Sequence, residues 1–551
     1  MDLKADIFII SDESNVIQCL IWNSSSKTFS ANSYYSISID GSTGKDIQSV
    51  YITDLNFDNA LDVIVILKRE NSLKGLVYKG NSGSTQNYFE LPRIYANPFF
   101  IQTAGQQIPS LMLTDSNNKP FTLNFKSDFS FNIKTNFINS CELSVEQTHS
   151  FVDFNGDCLS DLFLICKDNS YQIWTYEQGS FAKHSEGQLP EGSGPVSFLD
   201  FDGNGSIDMI YPVCQGDFCS KANEIRILRS QIKLNGLCNK VDGKIFSDDL
   251  FENYSINELF PDHYLYLIDG KTPVSFSVGN QFNTMRKGNI DADGYPDLLI
   301  TLKSKVSAKT HVELLRNIVD EVKGRGLVKF QIENNDITIP GSIHSFFFDV
   351  DENGYLDVGL NVLNDDGSKS VQFVYNHFFQ EYFFLKAFVM SGACGDSCNT
   401  NPEMGSLSFG AMLTAQVVDD HESKGFRTSF QLIQTGYFKV PTPYAYIGLG
   451  KTNNYLVAMS VSSLPAPIYY ADMAIIPNSK LILVPPFDTR TLWTIELYIS
   501  PGTYVMWVAI SVLSTLGVLA MSIFFLHQKE KLEDAKEKKR NLLAINFDAL
   551  Q

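Results

Sequence analysis

Between residues 289 and 297 the chain reads NIDADGYPD. Four side-chain oxygen donors, Asn289, Asp291, Asp293 and Asp297, occupy positions 1, 3, 5 and 9 of that stretch. The pattern recurs in DLNFDNALD (54–62), DFNGDCLSD (153–161), DFDGNGSID (200–208) and DVDENGYLD (349–357). The donors there are Asp54, Asn56, Asp58 and Asp62; Asp153, Asn155, Asp157 and Asp161; Asp200, Asp202, Asn204 and Asp208; and Asp349, Asp351, Asn353 and Asp357. Such a donor set suits a hard cation, since Ca²⁺ takes six to eight oxygens at about 2.3–2.6 Å from carboxylates, amides and backbone carbonyls. Position 7 varies (Ala60, Leu159, Ser206, Tyr295, Tyr355), as expected if only its carbonyl is used. Gly205, Gly294 and Gly354 at position 6 allow a left-handed turn, while Asn59 and Cys158 stand there in the first two copies. Each loop carries three Asp, so five Ca²⁺ ions would offset ten of the nineteen net negative charges. Without a cation such carboxylates repel and shift their pKa values. The plainer alternative for any one copy is an Asx-rich turn that holds no ion.

The elements around these loops are strands. Apolar runs such as SVYIT and VIVIL flank the first loop, and HSFFF and VGLNV flank the fifth. An EF-hand is excluded, because position 12 is Val65, Leu164, Tyr211, Ile300 or Leu360 where that motif needs a bidentate Glu. The loops begin at 54, 153, 200, 289 and 349, giving gaps of 99, 47, 89 and 60 residues. A unit of 47–60 residues with four strands is a propeller period. The longest gap then hides a degenerate unit, expected around 108–120 (IPSLMLTDSNNKP), and the gap of 89 holds an insertion expected around 237–269. The opening DLKADIFII reads as the second half of another loop, with Asp2 at position 5 and Asp6 at position 9. The chain is therefore expected to begin inside a repeat, with upstream sequence and a signal peptide missing, and to total seven units.

Residues 504–526 (YVMWVAISVLSTLGVLAMSIFFL) carry no charge over 23 residues, enough to cross a bilayer. Six basic residues follow, from Lys529 to Arg540, against Arg490 alone just before. That bias places the C-terminal tail in the cytoplasm and the N-terminal side outside or in a lumen, a type I orientation at the plasma membrane or an endomembrane. The tail is expected to be a fraying helix. Cys214 with Cys219 and Cys394 with Cys398 suggest short-loop disulfides in an oxidising compartment, leaving Cys19, Cys141, Cys158, Cys166 and Cys238 unassigned. Sequons at Asn23, Asn204 and Asn253 fit a glycoprotein. The net charge of −19 argues against nucleic acid as a partner.

The loops, DADGYPDLLI (291–300) above all, resemble the FG-GAP repeats of integrin α-subunit propellers. SFGAMLTAQVV (408–418) and TPYAYIGLGKTNNYLVAMSV (442–461) resemble the small β domain of ASPIC/UnbV-type proteins. AIIPNSKLILVPP, LYISP, the apolar span and the terminal FDAL are similar to the T-cell immunomodulatory protein family. The resemblance implies a single-pass membrane protein with an FG-GAP ectodomain and an interaction role. The expected architecture is all-β: a seven-bladed FG-GAP-type β-propeller (1–385), a β-sandwich (386–500), a transmembrane helix (504–526) and a cytoplasmic tail (527–551). No GxSxG, HExxH or P-loop occurs, so a non-enzymatic reading is preferred, with the propeller loops presented to a protein partner and no small-molecule substrate. The alternatives are a carbohydrate- or lipid-acting enzyme on a propeller platform, or a lumenal scaffold for other membrane proteins.

Overall fold

The computed structural model describes residues 6–545 apart from short connecting segments, the longest of them 268–284, 393–405, 433–441 and 330–337. Up to residue 374 the described chain is a succession of antiparallel meanders. The first has strands Ile7–Ile10, Val16–Asn23 and Thr28–Ser38. The second has Ile47–Thr53, Asp62–Arg69, Ser72–Tyr78 and Tyr88–Glu90. Three more four-stranded meanders begin at Phe99, Ser150 and Ser197, and a sixth begins at Arg286. The seventh has Ser342–Phe348, Asp357–Leu363 and Lys369–Val374. One extra strand, His263–Tyr266, pairs with both Lys221–Ser230 and Asp297–Ser304 and so joins the fifth and sixth meanders into one nine-stranded sheet.

Central strands here are apolar on both faces. Asp62–Arg69 reads DVIVILKR with its first six residues buried, and Asp161–Ile165 is buried throughout. A strand buried on both sides needs neighbours above and below it, which is what stacked blades supply. Each meander packs on the next through its own cluster. Ile17 with Val65 joins the first to the second, and Ile66 with Leu111 the second to the third. Met112 with Leu162 and Phe163 with Phe198 continue the series, followed by Ile225 with Leu298 and Leu314 with Val358. The seventh returns to the first through Trp22, Phe348 and Val350, where the Phe29 and Phe373 ring centroids are 5.3 Å apart. The sheets therefore form a ring, a β-propeller, as expected.

A two-sheet sandwich follows. One sheet orders Ala445–Gly450, Phe383–Val389, Ser479–Val484 and Thr494–Tyr498. The other orders Lys424–Gln431, Ala411–Val418, Ala458–Ser462 and Tyr469–Ala471. Leu385, Leu413, Ile447, Val461 and Leu483 fill the space between them. Propeller and sandwich make one compact unit to Tyr498. Among the described residues, the second unit is one helix, Tyr504–Ile545. Its 42 residues rise about 63 Å, so the apolar first half matches a bilayer and the charged half extends past it. The tail expected to fray is thus continuous helix through Ile545, supported by closely spaced opposite charges such as Lys529 and Glu533; the terminal FDAL lies outside the described residues.

One reading is corrected. The acidic loops join the first and second strands of a meander, but the turn at 115–119 joins the second and third strands of the third meander. The degenerate counterpart is the connection 102–109, where QTAGQQIP has no acid to mark it. The cysteines left unassigned include two disulfides, Cys141–Cys166 and Cys158–Cys238, with Cys19 free and buried. Neither pair is close in sequence, so spacing could not show them. Cys214 is also disulfide-bonded, while Cys219, Cys394 and Cys398 lie outside the described residues.

The contact that closes the ring is testable. Trp22 is 6 % exposed, so Trp22→Ala leaves a cavity between the first and last meanders and should cost about 3–5 kcal/mol in chemical denaturation of the detergent-solubilised chain.

Candidate metal centres

The five loops share one hydrogen-bond scheme, built from the nine-residue pattern. The position-9 carboxylate accepts from the backbone N–H of position 2: Leu55 to Asp62, Phe154 to Asp161, Phe201 to Asp208, Ile290 to Asp297 and Val350 to Asp357, all at 2.8–3.1 Å. Its other oxygen accepts from the third strand or just beyond, from Gly80, Tyr176, Ser230, Asn317 and Asn376. The position-5 side chain accepts from the N–H of position 7 in every copy. Position 1 accepts from later N–H groups of the turn, for example Phe57 to Asp54 at 2.7 Å and Gly354 to Asp349 at 3.1 Å.

In the four loops whose position 6 is described, these bonds go with two left-handed residues per loop. Position 6 is left-handed at Cys158, Gly205, Gly294 and Gly354, as the glycines foretold. Position 4 is left-handed in all five copies, at Phe57, Gly156, Gly203, Ala292 and Glu352. That second requirement was invisible in the sequence, because only two of those five residues are glycine. Four non-glycine residues held at positive φ across the loops are a local cost that the surrounding contacts must offset.

Two further residues escaped sequence reasoning. Asn317 and Asn376 each cap their own position-9 Asp through the backbone. Each also donates its side-chain amide to the position-2 carbonyl of the preceding acidic loop, Phe201 and Ile290, at 2.7 Å. They staple one loop to the next. Their signal is an Asn about 20 residues after position 9, too sparse to notice in one chain.

Burial makes the charge problem acute. Asp62, Asp161, Asp208 and Asp357 are fully buried, and Asp297 is 1 % exposed. Burial first, then the neighbouring carboxylates, pushes Asp62 and Asp357 up to about 7 and Asp153 and Asp200 up to about 8. Asp161 and Asp297 rise well above the ordinary carboxylate range for the same reasons.

The loops solve this differently. In the third, the Arg229 guanidinium lies 3.4 Å from Asp208 and 3.7 Å from Asp202. In the fourth, Arg316 pairs with Asp291. In the fifth, Lys386 of the sandwich, itself fully buried, reaches Asp349 Oδ2 at 3.0 Å and Glu352 at 2.9 Å, and Lys480 reaches Glu352 at 2.5 Å. In the fifth loop alone among the described residues do three carboxylates, those of Asp349, Asp351 and Asp357, bring oxygens within 4.8 Å of one another. Asp349 Oδ1 is buried there with no hydrogen-bond partner. Four carboxylates, Glu352 included, against two ammonium groups leave two negative charges, which one divalent cation would cancel. An orphaned buried oxygen in an oxygen-only cluster fits Ca²⁺.

The acidic loops meet the sandwich. Four of them touch the sandwich. Ser160 donates to Gly410 O at 2.7 Å, Thr428 N–H to Asp200 at 3.2 Å, and Gly450 N–H to Ala292 O at 2.9 Å, and Lys386 grips Asp349. His149 is half-buried and accepts from Ile165 N–H, which is a packing role.

Comparison with known proteins follows the same division. The FG-GAP-like repeat model matches residues 153–211, spanning the second and third loops, and the model for the ITFG1 C2 domain matches 403–498, within the sandwich. The chain is similar to the T-cell immunomodulatory protein of Homo sapiens, 26% identical over 541 residues, 92% of this chain and 84% of that one. It is 27% identical to a T-cell immunomodulatory protein homolog of Plasmodium yoelii yoelii over 89% of this chain and 81% of that one, and 23% identical to the protein linkin of Caenorhabditis elegans over 84% and 79%. The resemblance to T-cell immunomodulatory proteins read from the sequence therefore holds along nearly the whole chain. Among solved structures, the N-terminal domain of Nup159 superposes with a TM-score of 0.33 at 14% identity over 67% of this chain and 87% of that one.

A pH dependence follows from the raised carboxylates. A group whose folded pKa exceeds its unfolded value, about 3.9 for Asp, stabilises the fold fully below the unfolded value. That stabilisation is lost as pH rises through the folded pKa. In chelator, the melting temperature of the solubilised chain should therefore fall between pH 5 and 8, through the values of about 7 and 8. Added Ca²⁺ should flatten that slope; parallel curves with and without Ca²⁺ would refute the argument.

Proposed function

We propose that this chain is a type I single-pass membrane glycoprotein whose seven meanders are the blades of a propeller held rigid by structural Ca²⁺. Its ectodomain works in protein–protein interaction on the extracellular or lumenal side. Support for the membrane part is the 42-residue helix with its unburied apolar segment and the basic residues after it. The interaction role is supported by the relatives, which are named T-cell immunomodulatory proteins, and by a rigid ring with a large surface. The observation that carries the calcium reading is Asp349 Oδ1, a buried oxygen without a hydrogen-bond partner beside Asp351 and Asp357. Asn353 and the Tyr355 carbonyl would complete that donor set. The equivalent side chains of the other four loops are the further candidate ligands, up to five ions in all.

Because the sandwich covers four loops, the partner surface falls to the outer strands and to the face away from the sandwich. Outer strands such as Phe131–Thr135 and Ser180–Gln188 are largely exposed and carry Ile133 open to solvent.

Metal content checks this directly. Elemental analysis of the purified full chain after exhaustive dialysis should recover bound calcium. Asp357→Asn should lower it by about one equivalent while the protein still melts cooperatively. A calcium-free chain with an unchanged melt in chelator would remove the proposal.

A further inference from the structure

The third and fifth loops carry the same donor set, Asp, Asp, Asn and Asp at positions 1, 3, 5 and 9. Their carboxylates are nevertheless arranged differently. Those of Asp349, Asp351 and Asp357 converge, whereas those of Asp200, Asp202 and Asp208 do not. The donor residues are the same, so the cause lies in what stands beside them.

One position in each meander differs in the right way. The position-9 carboxylate accepts from a backbone N–H on the third strand or just past it, and the residue before that N–H is Lys79, Thr175, Arg229, Arg316 and Tyr375 in the five meanders in turn. Arg229 brings its guanidinium to 3.4 Å from Asp208 and 3.7 Å from Asp202, the position-9 and position-3 carboxylates. It is held from the other side by Glu252 Oε1, which accepts from Nε at 3.0 Å and Nη2 at 2.7 Å, and by the Phe201 ring, 4.3 Å from its Cζ. In the fourth loop Arg316 takes the position-3 carboxylate, Asp291. The fifth loop has a neutral residue instead. Burial and then Asp357 and Asp351, the counterparts of the two carboxylates Arg229 engages, raise the pKa of the Tyr375 hydroxyl.

A second guanidinium serves the same pair of loops. Arg427 of the sandwich donates to Gly203 O in the third loop and, at 3.0 Å, to the Tyr295 hydroxyl in the fourth. Ca²⁺ needs the oxygens of positions 3 and 9 at about 2.3–2.6 Å. A guanidinium keeps its charge at any working pH, so one bound to those oxygens repels an ion placed among them. The remaining loops differ. Thr175 and Tyr375 are uncharged, and the Lys79 ammonium stands over the Phe129 ring, 4.4 Å from its centroid. The first and fifth loops also keep a buried oxygen without a hydrogen-bond partner, Asn56 Oδ1 and Asp349 Oδ1.

We propose that this third-strand residue selects the counter-charge of each loop: Arg229 and Arg316 stand in for the metal in the third and fourth loops, and cation binding is confined to the first, second and fifth. The inference rests on the calcium reading above. It limits the count to three ions, the five loops less the two that hold an arginine. Bound Ca²⁺ is counted by equilibrium dialysis of the full chain in non-ionic detergent at saturating free Ca²⁺, with melting followed in parallel. The natural chain should hold no more than three ions. Arg229→Tyr gives the third loop the fifth loop's neighbour and should hold one ion more. It should also melt below the natural chain in chelator and recover with Ca²⁺. Tyr375→Arg should hold one ion fewer, and it decides the matter if Arg229→Tyr does not fold. More than three ions on the natural chain overturns the proposal and leaves the calcium reading standing, as does an unchanged count in folded Arg229→Tyr or in Tyr375→Arg when the natural chain binds Ca²⁺. A natural chain without Ca²⁺ beside an Arg229→Tyr chain that binds one ion overturns the calcium reading and keeps the role of the arginine. No ion on either chain overturns both.

Discussion

The structure turns on burying a carboxylate where a strand begins. Asp62, Asp161, Asp208, Asp297 and Asp357 each open the second strand of a meander, out of contact with water, and each tie the loop before them to the third strand. A buried carboxylate must be hydrogen-bonded and its charge compensated. The hydrogen bonds come from backbone N–H groups at fixed places in the loop, and this dictates the left-handed residues at positions 4 and 6. The compensation is where the copies diverge. Arginine enters the third and fourth loops and lysine from a different domain enters the fifth, where the proposed divalent cation would complete the compensation.

The sandwich belongs to that solution. Lys386 is fully buried and rests between Asp349 and Glu352, with the Tyr444 ring 4.1 Å from its Nζ. A lysine so deep is stable only while its carboxylates stay in place. The loop in turn presents a strained Glu352 at positive φ whose carboxylate binds two lysines. Ring, loop and sandwich are thus stabilised together, consistent with a single compact unit up to Tyr498.

Much of this was legible beforehand. Five in-register Asp and Asn patterns marked the loops, and their spacing gave the propeller; the apolar run at 504–526 gave the helix. What stayed hidden was long-range. The turn at 115–119 imitates an acidic loop in composition yet sits one strand too late, and only strand pairing reveals it. The Cys158–Cys238 disulfide joins residues 80 apart, a distance that sequence spacing does not register. Lys386 reads as an ordinary strand lysine until the sandwich is docked. Phe57, Ala292 and Glu352 do not advertise a left-handed conformation, because tertiary contacts impose it against their preference.

The central claim is that a divalent cation sits among Asp349, Asp351 and Asp357. An anomalous difference map from crystals of the chain grown with Ca²⁺ tests it most directly. The account predicts a peak at about 2.3–2.6 Å from Asp349 Oδ1 and from the other two carboxylates, with Lys386 still on Oδ2. A map with no peak there, and the Lys386 ammonium moved into the centre of the three carboxylates, would contradict it.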